Sequence, residues 1–264
     1  MNKLLELKNV SLTYYTLTDE IKAIESLSFY VNEGEFVSII GPSGCGKTTV
    51  LSLIAGILTP TNGKIIFDGN QHNVNKEQLG YMLQKDQLFP WRTIEKNILL
   101  PLEIKKKVNK NSIDYANSLL DKYGLSGFKK KYPDQLSGGM RQRVALIRTL
   151  VFNPRLLLLD EPFSALDSQT RLQVCDDVYN IIKEQNKTTI LVTHDISEAI
   201  SMSDKIIVLT ERPAQVKSIY KPVLDGATPL KRRESKNFGV YFEKIWKDLH
   251  KWKKKTFLNN ICCI

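Results

Sequence analysis

Gly41-Pro42-Ser43-Gly44-Cys45-Gly46-Lys47-Thr48-Thr49 is the stretch that decides the fold. It satisfies the spacing GxxxxGK[ST], directly follows an apolar run at 36–40 and directly precedes a helical pattern at 47–56. Glycines let backbone N–H groups surround phosphate oxygens, and the start of the helix adds a favourable dipole. In this pattern the lysine reaches the outer phosphates and the threonine hydroxyl can hold Mg²⁺. The stretch therefore predicts a phosphate-binding loop, and its flanking elements argue against a chance glycine turn.

The segments around this loop have strand patterns. Alternating apolar and polar residues at 4–14 and 24–31 favour antiparallel strands, and the apolar run at 36–40 favours a buried one. After the helix at 47–56, turn residues flank a further strand at 63–68. These patterns predict the element order strand, loop, helix, strand.

The second half of the chain changes pattern twice. Helical spacing runs from 94 to 150, and its breaks are marked by prolines and glycines: Pro101, Gly124, Gly127 and Pro133. Buried-strand runs and helical segments then alternate, with strands at 156–159, 188–192 and 206–209 and helices at 168–185 and 197–202. This alternation predicts a parallel sheet flanked by helices and interrupted by a helical insertion.

Composition narrows the class of protein. No apolar run in the 264 residues approaches the ~18 to 20 needed to cross a bilayer, and residues 1–6 lack a secretory signal, so we expect the chain to stay in the cytosol. Cys45, Cys175, Cys262 and Cys263 have no metal-ligand spacing, which favours reduced thiols. The net charge is +10, and ten Lys and Arg against four Asp and Glu at 225–264 contribute +6 of it.

Two adjacent carboxylates, Asp160 and Glu161, end the apolar run that begins at Leu156. Ligands of open α/β sheets bind at the carboxyl ends of the strands. Asp160 is therefore predicted to help hold the metal, and Glu161 to orient or deprotonate an attacking water. A polar cap on a loop is the alternative, and the phosphate loop upstream argues against it.

A second anion site is indicated at Ser137-Gly138-Gly139, which opens a helical stretch with a hydroxyl and backbone N–H groups. On physical grounds alone an ordinary serine-capped helix is the favoured interpretation. The order of the motifs along the chain changes this.

From residue 4 to about 220 the chain resembles the ABC transporter ATP-binding family, because six family motifs occur in order. Residues 41–49 resemble the Walker A loop, and Asp160 with Glu161 the Walker B pair. The remaining resemblances are Tyr14, with Tyr15 as the alternative, to the aromatic that stacks on adenine, Gln84 to the Q-loop glutamine, Ser137–Gln142 to the signature, 164–167 to the D-loop and His194 to the switch histidine. The fold class implied is α/β, a P-loop NTPase core with a mostly parallel sheet, an antiparallel β subdomain and an inserted α-helical subdomain at about 94–150.

The resemblance also implies the reaction and the partners. Two copies would form a head-to-tail dimer around two ATP molecules, with Ser137, Gly138 and Gly139 of one copy on the γ-phosphate held by the other. Asp167 would help to close this interface, and His194 would contact the γ-phosphate of its own copy. Thr48, Gln84 and Asp160 would bind Mg²⁺. Gln84 would also transmit the state of this site to the membrane subunit. Hydrolysis would use Glu161, His194 and Lys47.

The branch of the family is indicated by Phe89-Pro90-Trp91-Arg92 and by Glu211-Arg212-Pro213, which look like the nitrate/sulfonate/taurine importers and their relatives for pyrimidine precursors. Such a subunit would lie on the cytoplasmic face of the membrane against permease subunits, with an extracytoplasmic solute-binding protein beyond them. An exporter or lipoprotein-release ATPase is the alternative. An ABC ATPase acting on nucleic acid is less favoured, since one nucleotide domain is present rather than a tandem pair. We therefore expect no nucleic acid as a partner.

The tail at 225–264 is predicted as a separate basic segment after an ATP-binding domain at 1–224. Aromatic and aliphatic residues recur at helical spacing from Phe238 to Trp252, with lysines around them. We favour packing of this apolar stripe on the protein body over contact with anionic lipid.

Overall fold

The computed structural model describes residues 2–16, 19–71 and 78–259, with side chains described for all of these except 71 and 251–259. The chain forms two compact units, Met1–Val74 with Ile190–Ile264 and Asn75–Thr189. The first unit begins with β1 (Lys3–Tyr15), β2 (Glu20–Asn32), β3 (Phe36–Ile40), α1 (Lys47–Ile54), β4 (Asn62–Phe67) and β5 (Asn70–Gln71). The second unit contains β6 (Leu79–Met82), α2 (Ile94–Ile104), α3 (Lys110–Lys122), α4 (Gly138–Leu150), β7 (Leu156–Asp160) and α5 (Ser168–Glu184), with single 3-10 turns at Ser126–Phe128 and Pro133–Gln135. After β8 (Thr188–Val192), which spans the boundary, the first unit resumes with α6 (Ile196–Met202), β9 (Lys205–Leu209), β10 (Val216–Tyr220), α7 (Pro229–Arg233) and α8 (Phe238–Asn259).

An antiparallel sheet occupies one part of the first unit, with strand order β2-β1-β4-β5. Leu5 and Val10 of β1 and Leu27 and Val31 of β2 are completely buried, while polar neighbours such as Glu6, Asn9 and Ser28 are less buried. The alternation in the sequence therefore gave the correct strand type, and the antiparallel β subdomain is confirmed.

A second sheet in the same unit carries the strand that leads into the phosphate loop. β3 pairs in parallel with β9, and β10 pairs antiparallel with β9. Every residue of β3 and β9 is buried, as expected for strands covered on both faces. β8, whose last three residues belong to this unit, is the neighbour of β3 on its other side.

The second unit contains the helical region predicted at 94–150. Leu88, α2, α3 and α4 share one core cluster, which includes Ile94, Ile98, Leu120 and Val144. β6 pairs in parallel with β7 in the same unit. The sequence did not predict β6, because Gly80 interrupts it. A Cβ at Gly80 would lie 2.6 Å from the Thr149 Cγ2 atom, so only glycine allows α4 to approach the strand.

Helix α8 packs against the rest of the first unit. Ile245 is completely buried in a cluster with Ile40, Ile200 and Val208, and Phe242 and Leu249 are among the half-buried residues around it. The Asp248 carboxylate accepts hydrogen bonds from the hydroxyls of Ser218 at 2.5 Å and Tyr220 at 2.6 Å. The predicted packing of the apolar stripe on the protein body is confirmed for Phe242, Ile245 and Leu249, whereas Trp246 is 48% exposed. Trp252 and the last five residues of the chain lie outside this description.

No helix in the described ranges is long and apolar enough to cross a membrane.

Candidate functional site

The phosphate loop connects β3 to α1 in the first unit, and its glycines are required for two different reasons. Gly44 and Gly46 have φ of 73° and 117°, a region that favours glycine because it has no Cβ. Gly41 has no such φ, but a Cβ there would lie 2.9 Å from the Cys45 Sγ atom and 3.1 Å from the Leu209 Cβ atom. The loop therefore needs glycine at 44 and 46 for its left-handed turns and at 41 for close packing.

Lys47 lies inside the curl of this loop and is only 7% exposed. Its Nζ atom donates to the carbonyl oxygens of Gly41 and Pro42, each at 3.0 Å. Helix α1 begins at Lys47 after Gly46, which has no side-chain oxygen to cap it. An ammonium group next to an uncapped helix start is an arrangement that suits an anion.

Arg212, which the sequence linked only to the branch of the family, contacts the loop, and Cys45 lies within it as one of the predicted nucleotide-binding residues. The Arg212 guanidinium donates from Nη2 to the Gly44 carbonyl at 3.0 Å, and the Arg212–Pro213 peptide bond is cis. Cys45 is buried, and this burial raises the pKa of its thiol, which keeps it protonated and unreactive. Arg212 therefore braces the outer side of the loop, a contact that only a folded structure shows.

The two tyrosines proposed for adenine stacking end strand β1. Tyr14 is 40% exposed and Tyr15 is 67% exposed, so both rings are accessible to a ligand. The choice between them stays a prediction.

His194 follows β8 in the first unit and is exposed. The residue after it, Asp195, caps helix α6 by accepting hydrogen bonds from the N–H groups of Ser197 at 2.7 Å and Glu198 at 3.1 Å. The predicted switch histidine therefore lies on a short connection between a strand and a helix, and the residue after it is fixed by the helix cap.

The two carboxylates lie where β7 ends, in the second unit. Asp160 is 4% exposed, and Glu161 follows it with a φ of 45°. A left-handed residue other than glycine is uncommon and costs about 1 to 2 kcal/mol. Ser164 holds this turn, because its hydroxyl and its backbone N–H donate to the Glu161 carbonyl at 3.0 and 3.2 Å. Such local strain is typical of functional positions.

Gln84 and Glu161 are brought together, although 77 residues separate them. The Gln84 Nε2 atom lies 3.4 Å from the Glu161 Oε2 atom, at the long limit of a hydrogen bond. This contact joins the predicted Q-loop and Walker B residues in one unit. It supports their assignment to one site.

Ser137 caps helix α4 by accepting a hydrogen bond from the Met140 N–H at 3.3 Å. The glycines after it permit close packing. A Cβ at Gly138 would lie 3.0 Å from the Leu166 Cδ2 atom, and one at Gly139 would lie 2.7 Å from the Val174 Cγ2 atom. The signature is therefore a capped helix start pressed against the D-loop and α5.

Asp167 has a defined role within its own chain. Its carboxylate caps helix α5, accepting from the N–H groups of Gln169 at 3.1 Å and Thr170 at 3.0 Å. Hydrogen bonds from the side chain and then the backbone of Thr170 hold its pKa below the usual value of an aspartate. Its predicted contribution to a dimer interface stays a prediction.

The segment after Gln84 is fastened to the signature helix by two arginines of α4 that the sequence did not single out. Arg148 donates to the carbonyl oxygens of Asp86 at 2.6 Å and Gln87 at 2.7 Å. Arg141 donates to the Asp86 carboxylate at 3.1 Å. The Q-loop and the signature are thus mechanically connected inside the second unit.

The next segment exposes aromatic rings on a rigid support. Asn97 is completely buried, accepts from the Phe89 N–H at 2.8 Å and donates to the carbonyls of Phe89, Arg92 and Thr93 at 3.0 to 3.1 Å. Trp91 is 71% exposed, and its ring centroid lies 5.0 Å from that of Phe89. A fixed loop with an exposed tryptophan is typical of a protein-binding surface.

The family model described as ABC transporter matches residues 24–164. An uncharacterized ABC transporter ATP-binding protein of Bacillus subtilis (strain 168), YtlC, is 45% identical over 95% of this chain and 97% of its own length. The chain belongs to the ABC transporter family. The aliphatic sulfonates import ATP-binding protein SsuB of Bacillus anthracis is 39% identical to this ABC protein over 81% of the chain and 84% of its own. A solved dimeric, post-hydrolysis structure of the ATP-binding cassette MJ0796 with ADP and Pi is 34% identical, with a TM-score of 0.70, and the match covers 82% of this chain and 98% of that one.

This ABC protein is an ATP-binding subunit with the ATPase activity predicted from its motifs, and the predicted fold class is confirmed. Lys47 and His194 lie in the first unit, and Gln84, Ser137, Asp160 and Glu161 lie in the second. The individual roles of these residues, and the division at 224/225, stay predictions.

Proposed function

We propose that this ABC ATPase energises the import of a small solute, of the nitrate, sulfonate, taurine or pyrimidine-precursor type. The observation that carries the proposal is the 39% identity, over most of both chains, with an ATP-binding protein of aliphatic sulfonate import. The Phe89-Pro90-Trp91-Arg92 segment supports it, because Asn97 holds its exposed rings in place for a partner.

Hydrolysis is proposed to proceed by in-line attack of water on the γ-phosphorus, with ADP as the leaving group. Glu161 accepts the proton of the attacking water, and the Gln84 amide limits the positions its carboxylate can take. Lys47 neutralises charge on the β- and γ-phosphates, and His194 contacts the γ-phosphate from its own chain. Lys47 and His194 lie in one unit, and Gln84 and Glu161 lie in the other. The family resemblance supports the proposal that both pairs act on one nucleotide.

Mg²⁺ fits the donors present, since Thr48, Gln84 and Asp160 offer hydroxyl, amide and carboxylate oxygens, which are the ligands it prefers. Bound with ATP, it would neutralise charge on the phosphates.

The working form is proposed to be a head-to-tail dimer. Ser137, Gly138 and Gly139 would contact the γ-phosphate held by the second copy, and Asp167 would lie at the interface. The MJ0796 cassette is dimeric with ADP and Pi bound, which supports a dimer, and the family resemblance supports its head-to-tail arrangement.

Permease subunits are the proposed partners of the Phe89–Trp91 surface, and a solute-binding protein would act through them from outside the cell. The protein would accordingly sit peripherally on the cytoplasmic face of the membrane. The import relative supports this placement.

The catalytic part is tested with the Glu161→Gln variant, which should bind ATP and not hydrolyse it. Light scattering is expected to show a dimer only in the presence of MgATP, and turnover should fall about 100-fold or more. A monomer at saturating ATP with wild-type turnover would remove Glu161 from the mechanism.

The import part is tested in cells that lack this chain, supplied with an alkanesulfonate or taurine as the sole sulfur source. The wild-type chain should restore growth and Glu161→Gln should not. Restored growth with Glu161→Gln, or unimpaired growth without the chain, would contradict import of this solute class.

A further inference from the structure

A buried hydroxyl and a buried carboxylate lie beside His194. Thr193 is 2% exposed and Glu198, on helix α6, is 3% exposed. The Thr193 Oγ1 atom donates to the Glu198 Oε2 atom at 2.6 Å and accepts from the Asp195 N–H at 3.0 Å. One hydroxyl therefore connects the residues on both sides of His194 to the first turn of α6.

The backbone on each side of His194 has a second anchor. The Thr193 N–H donates to the Ile39 carbonyl at 3.3 Å, and Ile39 belongs to β3, two residues before the phosphate loop. Asp195 caps α6 through its side chain. His194 thus projects from a short segment whose neighbours are fixed both to the strand entering the phosphate loop and to the next helix.

Packing alone does not explain a carboxylate at position 198. Ala199 and Ile200 of the same helix are completely buried in the apolar cluster around Ile245. Burial of a carboxylate is costly unless it is hydrogen-bonded, and an apolar side chain of similar length would fill the same volume. The carboxylate provides an acceptor that fixes the orientation of the Thr193 hydroxyl, which an apolar side chain cannot do.

We propose that Glu198, acting through Thr193, is a positioning residue for His194 in ATP hydrolysis. This inference rests on the proposed contact between His194 and the γ-phosphate. Loss of the Thr193–Glu198 hydrogen bond then shifts the imidazole without removing any group that binds nucleotide. Misplacement of about 1 Å can lower a rate about 100-fold, so an effect on turnover is expected with little effect on ATP affinity.

The bond is removed from either side by Thr193→Val and Glu198→Met, which keep the volume of the side chain. Each should lower kcat about tenfold or more, with the Kd for ATP changed less than about threefold. Glu198→Met leaves the buried Thr193 hydroxyl without this acceptor and should lower the Tm, so turnover is measured at a temperature at which every variant is folded. Thr193→Ser keeps the hydroxyl and should recover most of the turnover. Ser201→Ala is the matched control, since this equally buried hydroxyl donates to the backbone of α6 at Ser197 and Glu198.

The decisive measurement repeats Thr193→Val and Glu198→Met in a His194→Ala background. If both act through His194, neither lowers kcat further once the imidazole is gone. An equal loss in both backgrounds, or wild-type kcat in both variants while His194→Ala is impaired, overturns the positioning role and leaves the proposed ATPase site intact. Wild-type turnover in His194→Ala itself would overturn both the contact proposed for His194 and this inference. If one variant fails to fold, the other reads the same bond from its opposite end.

Discussion

The phosphate loop and the signature are both glycine-containing starts of a helix, but their glycines serve different ends. In the loop, Gly44 and Gly46 take left-handed conformations and the helix starts without a side-chain cap. In the signature, Ser137 caps the helix, and the glycines are needed because a Cβ would collide with Leu166 or Val174. The first site depends on left-handed glycines, with close packing only at Gly41, and the second depends on close packing at both glycines.

This difference explains why one motif is recognised by itself and the other by its context. A loop that needs left-handed glycines and a lysine at fixed spacing leaves a specific pattern in the sequence. A helix start that needs room for a neighbour leaves only small residues, which occur in many capped helices. Substitutions at Lys47, Gly46, Gly139 and Ser137 separate the two designs.

The largest effect is expected from Lys47→Met, which removes the ammonium held by the loop carbonyls. A hydrogen bond to a charged group contributes about 1.5 to 3 kcal/mol, so the Kd for ATP should rise about 10- to 100-fold and turnover should fall further. Fluorescence titration with an ATP analogue and a steady-state ATPase assay measure both. Unchanged affinity would show that the loop binds phosphate through its backbone alone. Lys64→Met, on strand β4, is the control for loss of a positive charge.

The glycines are compared by Gly46→Ala and Gly139→Ala, each expected to lower the free energy of unfolding by about 1 to 3 kcal/mol. Val174→Ala should rescue Gly139→Ala, because it removes the Cγ2 atom that lies 2.7 Å from the new Cβ. The corresponding partner change, Ala214→Gly, removes the nearest side-chain atom, which lies 3.8 Å from the new Cβ. It should not rescue Gly46→Ala, because the strain there is in φ and the nearest atom is a backbone oxygen at 3.5 Å. Urea unfolding of the single and double variants gives the comparison. Rescue in both places, or in neither, would abolish the distinction.

The smallest effect on stability is expected from Ser137→Ala, about 1 kcal/mol for a lost helix cap. Ser137→Asn can cap the helix equally well and should restore the stability. It should not restore ATP hydrolysis if the hydroxyl also contacts the γ-phosphate held by a second copy. Thermal unfolding and turnover, measured side by side, separate the cap from the ligand contact. Full turnover in Ser137→Asn would leave the serine with a structural role only.

Much of this fold could be predicted because its strands are either alternating or mainly apolar. Strands β3, β7, β8 and β9 are buried along their whole length, so they appear as short, mainly apolar runs with few polar residues. Strand β10 was missed, since Lys217 and Ser218 interrupt it and its side chains are only partly buried. Neither β6 nor β10 carries a local pattern that distinguishes it from a loop.

The candidate site divides in the same way. Lys47 was predicted from a motif with fixed spacing, and Asp160, Glu161 and Ser137 from the order of their motifs after it. Arg148, Arg212 and Asn97 were not, because their polar side chains bind backbone carbonyls that are near in space and carry no residue-specific pattern. Only tertiary structure identifies such contacts.

Helix α8 has a practical consequence for anyone who shortens this protein. Its buried residue Ile245 shares a cluster with Ile40, the residue immediately before Gly41. The sequence suggested that the nucleotide domain ends at 224. Cutting the chain there would expose the apolar residues next to the phosphate loop, Ile40 among them, to water. Such a fragment would be prone to aggregate. Its measured affinity for nucleotide would differ from that of the whole chain, because the residue before the loop would have lost its packing.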